Sequence, residues 1–465
     1  MPGQLETLKD STVEGTRLRA RVFRAGSWSL IGHFLTLTLR LGGTLVLTRL
    51  FAPQLFGVLA VASAVQVAIG LLTDIGLRQA IIQSPNGQHR PFLDTAWTVQ
   101  ILRGCMIWGV GSAVAAGLHA TTGLGWLSSE SLYSDPILPS IVAATSFSAV
   151  ILGFQSTKTI TAGRDLNLGR LTAIELSNSA FNLIAIIVLG WLTGSIWSFV
   201  IGAWLSSTLT VLLSHFWLPG PVNRFAWRAD ALQELSHFVR WIFFSSAISS
   251  LAMSGDRFLL AGWLSAADVG CYSIASNIAS VPDTIAYRIF NNVAMPALSD
   301  IVRNQPLRLR TLYIRLRLVS DSALVFLAGF LFTSGGWLIS LLYDARYAAA
   351  GPMLQYLSFS LLLSRYGVAQ SLFLSLGNPR YVALLNVIKV ISLFGLTPIL
   401  FHLFGVEGAI LGISFHMAPT LLLVFWFSHR LGVNHLLFEI AVLLMWPVGW
   451  MSGYLAAQAA HAFGL

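Results

Sequence analysis

The chain is poor in charge. Of its 465 residues only 10% are Asp, Glu, Lys or Arg, and 55% are hydrophobic. Soluble domains carry about 25% charged residues. With a mean hydropathy of +0.73, the chain has more apolar surface than one water-soluble core would bury, so a soluble enzyme or a nucleic-acid-binding domain is excluded. Cysteine is nearly absent. Cys105 and Cys271 fall inside apolar runs, which leaves no disulfide framework. There is no G-x-x-x-x-G-K-[ST] phosphate loop, no H-E-x-x-H and no Cys/His cluster, so neither a resident ATP motor nor a metal centre is expected. No cofactor is expected. Acids are scarcer than bases, 19 against 28, for a formal net charge of +9.

What is present is a series of apolar runs long enough to cross the ~30 Å hydrocarbon layer. They predict an all-α polytopic membrane protein with spans at 26–50, 54–83, 91–119, 137–163, 168–191, 195–217, 236–262, 268–297, 311–342, 346–376, 379–403, 406–430 and 433–458. Basic residues collect in alternate loops. Arg78 and Arg90 follow the second span, Lys158, Arg164 and Arg170 the fourth, and Arg224, Arg228 and Arg240 the sixth. Arg303, Arg308 and Arg310 follow the eighth. The intervening loops are short and nearly free of bases. The positive-inside rule then places the N-terminus in the cytoplasm. Residues 1–25, with Arg17, Arg19, Arg21 and Arg24, read as a cytoplasmic segment and not as a cleaved leader. Short outer loops leave no room for an extracytoplasmic catalytic domain, so no enzyme activity is expected.

The chain repeats itself. LFAPQLFGVLAVAS (50–63) parallels WLSAADVGCYSIAS (263–276), with Gly57 and Gly270 in register 213 positions apart (270 − 57). Gly163 with Gly377, and Gly194 with Gly408, give an offset of 214 (377 − 163, 408 − 194). A duplication of six spans inserts both copies the same way up, about an axis along the membrane normal. The expected organisation is an N-lobe at 26–217, a cytoplasmic linker at 218–235, a C-lobe at 236–430 and an additional helix within 431–465. Two such lobes suggest a central cavity between them.

Several ionisable residues lie deep in these runs, where they must face protein or water. Arg40 sits about fourteen residues into the first span, at an insertion cost of ~2.5–3.5 kcal/mol. Arg257 lies in the equivalent helix of the second copy, beside Asp256. Arg103, Arg365 and Lys389 are deep in their spans, and Arg288 is a turn below Asp283. Basic groups outnumber acids at mid-depth, and a cavity so lined attracts anions. Guanidinium forks suit phosphate and carboxylate. Arg40, Arg257, Arg365, Lys389, Arg103 and Arg288 are therefore candidate substrate ligands. Asp256, Asp283 and Asp321 are candidate ion-coupling groups. Asp94 with Arg90, and Asp74 with Arg78, read as structural pairs one helical turn apart.

These segments carry a resemblance. TRLFAPQLFGVLAVA (48–62), LLTDIGLRQAIIQ (71–83), PFLDTAWTVQILRG (91–104), GDRFLLAGWLSAADVGCYSIA (255–275) and GNPRYV (377–382) are similar, in order and spacing, to Wzx-type polysaccharide flippases of the multidrug/oligosaccharidyl-lipid/polysaccharide (MOP) superfamily. The resemblance implies two six-helix bundles forming a V. It also implies a substrate, an oligosaccharide repeat unit on undecaprenyl pyrophosphate, moved across the inner membrane for exopolysaccharide or lipopolysaccharide assembly by alternating access. An H+ or Na+ gradient, or removal of product outside, is the expected energy source. A polysaccharide polymerase and a chain-length regulator are the expected partners, besides the lipid bilayer. A cation-coupled drug exporter of the MATE type, a lipid II flippase and a membrane-embedded polymerase are the alternatives. The drug exporter would want acids and aromatics where bases prevail here.

Overall fold

The computed structural model describes residues 28, 31–74, 76–84, 86–123, 128, 130–164, 168–236, 239–290, 294–433 and 436–462. The expected cytoplasmic segment 1–25 lies outside them. Every element among the described residues is helical. In chain order they are α1 (Ile31–Leu50), α2 (Pro53–Leu72), α3 (Leu77–Gln83), α4 (Arg90–Gly123), α5 (Leu138–Ser146), α6 (Ser148–Gly153), α7 (Lys158–Arg164), α8 (Leu168–Thr193), α9 (Trp197–Phe216), α10 (Ala229–Ser236), α11 (Val239–Trp263), α12 (Ala266–Ile289), α13 (Met295–Asn304), α14 (Leu309–Leu342), α15 (Ala350–Leu357), α16 (Ser360–Ser364), α17 (Gly367–Ser375), α18 (Pro379–Phe415), α19 (Ala418–Arg430), α20 (Leu436–Leu443) and α21 (Met445–Ala462).

These helices fall on the runs read from the sequence. Eight helical segments among the described residues are long and apolar enough to cross a membrane, or nine if the bent pair Leu138–Gly153 and Lys158–Arg164 is one span. The protein is a multi-pass membrane protein. This count is below thirteen for physical reasons. The stretch Pro379–Arg430 counts once but holds two runs, bent at Gly405, whose φ of 63° only glycine adopts at little cost. The run 346–376 is broken into α15, α16 and α17. Helices α11 and α12 carry Asp and Arg among their apolar residues. Gly405 also corrects one repeat pairing: the left-handed turn matching Gly194 (φ 60°) is Gly405, not Gly408. Gly408 lies against the Leu400 carbonyl instead.

The chain forms two compact units. The first comprises Met1–Phe51, Ile69–Ala120 and Pro139–Phe244, and the second Ala52–Ala68, Thr121–Leu138 and Ser245–Leu465. In the first, small residues bring helices close, as lipid-embedded packing requires. Gly32 and Gly43 of α1 face Thr172 and Leu183 of α8, and Gly104 of α4 meets the Ala149 backbone of α6. The linker docks here by hydrogen bonds. Asn223 accepts from Ser156 Oγ (2.7 Å) and donates to Thr157 Oγ1 (2.7 Å). The Arg224 and Ala226 amides donate to Asp94 Oδ1 (2.9 Å) and Thr98 Oγ1 (3.1 Å).

In the second unit the additional C-terminal run is part of the core. Gly329 of α14 faces the Trp446 carbonyl of α21, Gly449 of α21 faces the Phe326 carbonyl, and Gly453 faces Thr333. Thr333 Oγ1 donates to the Trp450 carbonyl (3.0 Å). At another corner of the unit, residues 131–133 bond carbonyls at and near the end of α11; that of Ala261 lies in the last turn, where carbonyls have no intrahelical partner. Ser131 Oγ donates to Ala261 O (2.9 Å), Tyr133 Oη to Phe258 O (2.9 Å), and the Leu132 amide to Leu264 O (3.0 Å). Burial pushes the Tyr133 hydroxyl up to about 12.

Candidate functional site

Intramembrane charges gather in two clusters of the second unit. The first is centred on Glu439 of α20. Arg317 of α14 reaches Asp321 one turn on (Nη2 to Oδ2, 2.7 Å) and forks onto both Glu439 carboxylate oxygens. Arg365, at the end of α16, forms an ion pair with Glu439 Oε2 (3.1 Å) and donates to Tyr366 Oη (2.7 Å). Tyr366 Oη in turn donates to the same Glu439 oxygen (3.0 Å). All four charged residues are at most 5% exposed. Arg317 is also caged by the rings of Tyr313, Tyr366 and Phe438, each within 5.7 Å. Two arginines meet two carboxylates, so the formal charge is zero. Arg365 and Asp321 are thus placed in a balanced network that ties α14, α16 and α20 together. Buried ions need such pairing, because an uncompensated one is strongly unfavourable.

The second cluster joins α11, α12, α18 and His416. Asp256 accepts a hydrogen bond from Tyr272 Oη (2.5 Å). Asp256 and the neighbouring Arg257 both lie within electrostatic reach of Tyr272. Asp283 and Lys389 interact by charge without closing to an ion pair, and Asp283 Oδ1 is buried without a hydrogen-bond partner among the described residues. His416, whose Nδ1 bonds the Ile413 carbonyl (2.5 Å), is within electrostatic reach of both Lys389 and Asp256. The cluster therefore holds two bases, two acids, a histidine and a phenol at the depth where a polar group needs a purpose. Arg257 and Lys389 are both half-buried and form no ion pair among the described residues, so their charge is not locked as that of Arg365 is. Arg288 is half-buried in the last turn of α12, where a cation is favourable.

The first unit carries the other two candidates. Arg40 is exposed on α1, with its carbonyl accepting from Thr44 Oγ1 (2.8 Å). Arg103 of α4 terminates α2: its Nη2 donates to Gly70 O (2.7 Å) and its Nε to Thr73 O (2.9 Å), with Asp74 at 3.9 Å. A guanidinium at a helix C-terminus both satisfies open carbonyls and complements the dipole. Asp74 therefore faces Arg103 and caps the Gly76 amide (3.0 Å), in place of the expected pairing with Arg78. Arg90 and Asp94 do pair, at 3.8 Å.

Sequence reasoning missed Glu439, Tyr272, Tyr366 and the Ser131–Tyr133 contacts. A lone acid in the apolar run LLFEIAVLL was the available signal for Glu439. The other three are tertiary and leave no local pattern. Among the described residues no group of three His, Cys, Asp or Glu side chains is placed to hold a metal ion.

A profile of the family described as polysaccharide biosynthesis protein matches residues 46–372. The lipopolysaccharide biosynthesis protein WzxC of Escherichia coli K12 is 22% identical over 355 residues, 75% of this chain and 69% of that protein. The succinoglycan biosynthesis transport protein ExoT of Rhizobium meliloti is 21% identical over 344 residues, 73% of this chain and 66% of that protein. The chain thus spans about two thirds of the length of these relatives. Among solved structures, an inward-facing MATE-family multidrug transporter of the MOP superfamily superposes with a TM-score of 0.63 at 16% identity, covering 85% of this chain and 94% of that one. The lipid II flippase MurJ in an inward closed conformation gives 0.59 at 12% identity, covering 94% and 99%. The fold is that of MOP transporters, as the order of the sequence segments implied.

Proposed function

We propose, for a chain that belongs to the polysaccharide biosynthesis protein family, that it is a flippase carrying undecaprenyl-pyrophosphate-linked oligosaccharide repeat units across the bacterial inner membrane. The observation that carries this reading is the family match, which covers most of the first copy of the internal repeat and extends to residue 372 in the second, on a fold shared with transporters. In this reading the N-terminus is cytoplasmic and the two repeats alternate access. The pyrophosphate docks on basic groups deep in the membrane: Arg257 and Lys389 of the second unit first, with Arg288 nearer the cytoplasmic end, and Arg40 of the first unit is a further candidate ligand. Guanidinium and ammonium groups in a low-dielectric setting replace part of the water that the pyrophosphate loses. Arg365 and Arg103 hold helices in place for those ligands. Asp256 and Asp283, each beside a base, are the groups through which H+ or Na+ would couple, and Asp321 stays with Arg317. A polymerase and a chain-length regulator would consume the product outside.

The MATE likeness has the higher TM-score of the two structures and favours a second reading, a drug exporter. At 16% identity it speaks to the fold, whereas the sequence relatives are polysaccharide proteins. One strain decides between them. Deleting the gene should abolish surface polysaccharide and leave drug tolerance unchanged. Restoring the Arg40→Ala/Arg257→Ala form at wild-type protein level should not bring polysaccharide back. Normal polymer with heightened drug sensitivity in the deletion strain would select the exporter.

A further inference from the structure

At the corner of the second unit formed by residues 130–136 and 263–268, a cavity of about 790 Å³ opens to solvent. That volume lies within the ~300–1,000 Å³ typical of small-molecule sites. Its wall has two chemistries. One part is aromatic: Trp263 and Phe401 are stacked, with centroids 4.5 Å apart and planes 7° from parallel. The other part is acidic and hydroxylic: Glu130, Asp135 and Asp268 with Ser131 and Ser134. The hydrogen bonds from residues 131–133 to the end of α11 hold this wall in place.

The carboxylates are oriented but not used up. Asp135 Oδ1 accepts from the Ile137 amide (2.9 Å), and Asp268 Oδ2 accepts from Ser265 Oγ (2.7 Å). The second oxygen of each has no hydrogen bond among the described residues. The acids do not converge as metal ligands. They repel a phosphate, and a wall this polar does not suit a lipid tail. A flat aromatic face beside dispersed, acceptor-only carboxylates suits a pyranose. Its C–H face covers the ring, and its hydroxyls donate to the carboxylates.

We propose that this cavity is a glycan subsite for a neutral or amino-bearing sugar residue. Trp263 and Phe401 are the stacking platform, and Asp135 and Asp268 accept the hydroxyl hydrogens. The proposal rests on the reading of the chain as an oligosaccharide transporter, and it adds a place for the sugar on the outer side given by the proposed topology. The phosphate and the sugar then have separate sites of opposite charge.

The test is saturation-transfer NMR on the full chain in nanodiscs, with methyl glucoside, methyl N-acetylglucosaminide and methyl glucuronide as probes. The two uncharged glycosides should take up saturation and the glucuronide should not. The signal should weaken by about fivefold in Trp263→Ala and in Asp135→Asn, and persist in Trp263→Phe, which keeps the stacked ring. No signal from any glycoside, or an undiminished one in a folded Trp263→Ala protein, overturns the subsite. Translocation of lipid-linked oligosaccharide by the same preparations separates the two ideas. Transport without glycoside binding removes the subsite alone, and glycoside binding without transport removes the flippase reading alone.

Discussion

Gly57 and Gly270, which occupy the same position in the two copies of the repeat, pack backbone to backbone. A methyl group on Gly57 would stand 2.0 Å from the Ala266 carbonyl oxygen and 3.1 Å from the Gly270 nitrogen. One on Gly270 would stand 1.9 Å from the Pro53 carbonyl oxygen and 3.2 Å from the Gly57 nitrogen. Pro53-x-x-x-Gly57 and Ala266-x-x-x-Gly270 thus cross where only small residues fit. Gly57→Ala and Gly270→Ala should each destabilise this arrangement by about 1–3 kcal/mol. A thermal melt of the detergent-solubilised protein would record the loss as a lower Tm for either variant. An unchanged melt for both would mean that the crossing is not kept in solution.

Ser131 and Tyr133 hold the end of α11 by its carbonyls. Removing the Ser131 hydroxyl takes the donor from a carbonyl in the last turn, at about 1–3 kcal/mol, whereas the Phe258 carbonyl keeps its place in the helix ladder, so losing the Tyr133 hydroxyl costs about 0.5–1.5 kcal/mol. Cys271 is buried next to Gly270, whereas Cys105 is exposed. In a Cys105→Ser background, maleimide labelling of Cys271 should accelerate several-fold in Ser131→Ala or Tyr133→Phe. Because burial raises the Tyr133 hydroxyl to about 12, the stability lent by its neutral form is complete below the ordinary value near 10 and is lost progressively as pH rises from there through about 12. Labelling corrected for thiol ionisation should therefore show no step between pH 7 and 9.

Glu439 accepts hydrogen bonds from Arg317 and Tyr366 and pairs by charge with Arg365. Glu439→Ala leaves two buried guanidinium groups with one carboxylate, and should cost about 3–5 kcal/mol. Arg317→Met with Glu439→Leu should be milder than Glu439→Ala alone, since an apolar replacement of a buried pair is often close to neutral. Yield and Tm across the single and double variants measure the coupling. Equal losses from Glu439→Ala and the double variant would show that the network is not held by charge.

The spans, the repeat and the family were legible because each is written in local pattern: runs of apolar residues, glycines at a nearly constant offset, and segments such as TRLFAPQLFG in a fixed order. The partners of the charges were not. Arg317 and Glu439 are 122 residues apart, and nothing near either names the other. Arg103 looked like a ligand because a deep arginine needs a counterpart. Its counterpart is the end of α2, a set of backbone carbonyls that no sequence motif marks. The excess of bases at mid-depth was visible. That Arg365 sits beside Glu439, and Lys389 near Asp283, depended on how the helices pack.

The most direct measurement places fluorescent undecaprenyl-pyrophosphate oligosaccharide in one leaflet of liposomes holding the purified chain, and follows its arrival in the other leaflet with an impermeant quencher. Wild-type protein should move it well above the rate of empty liposomes, and Arg40→Ala/Arg257→Ala protein at equal density should lose most of that rate. Wild-type protein that moves the lipid no faster than empty liposomes, or a double variant as fast as wild type, would contradict the account.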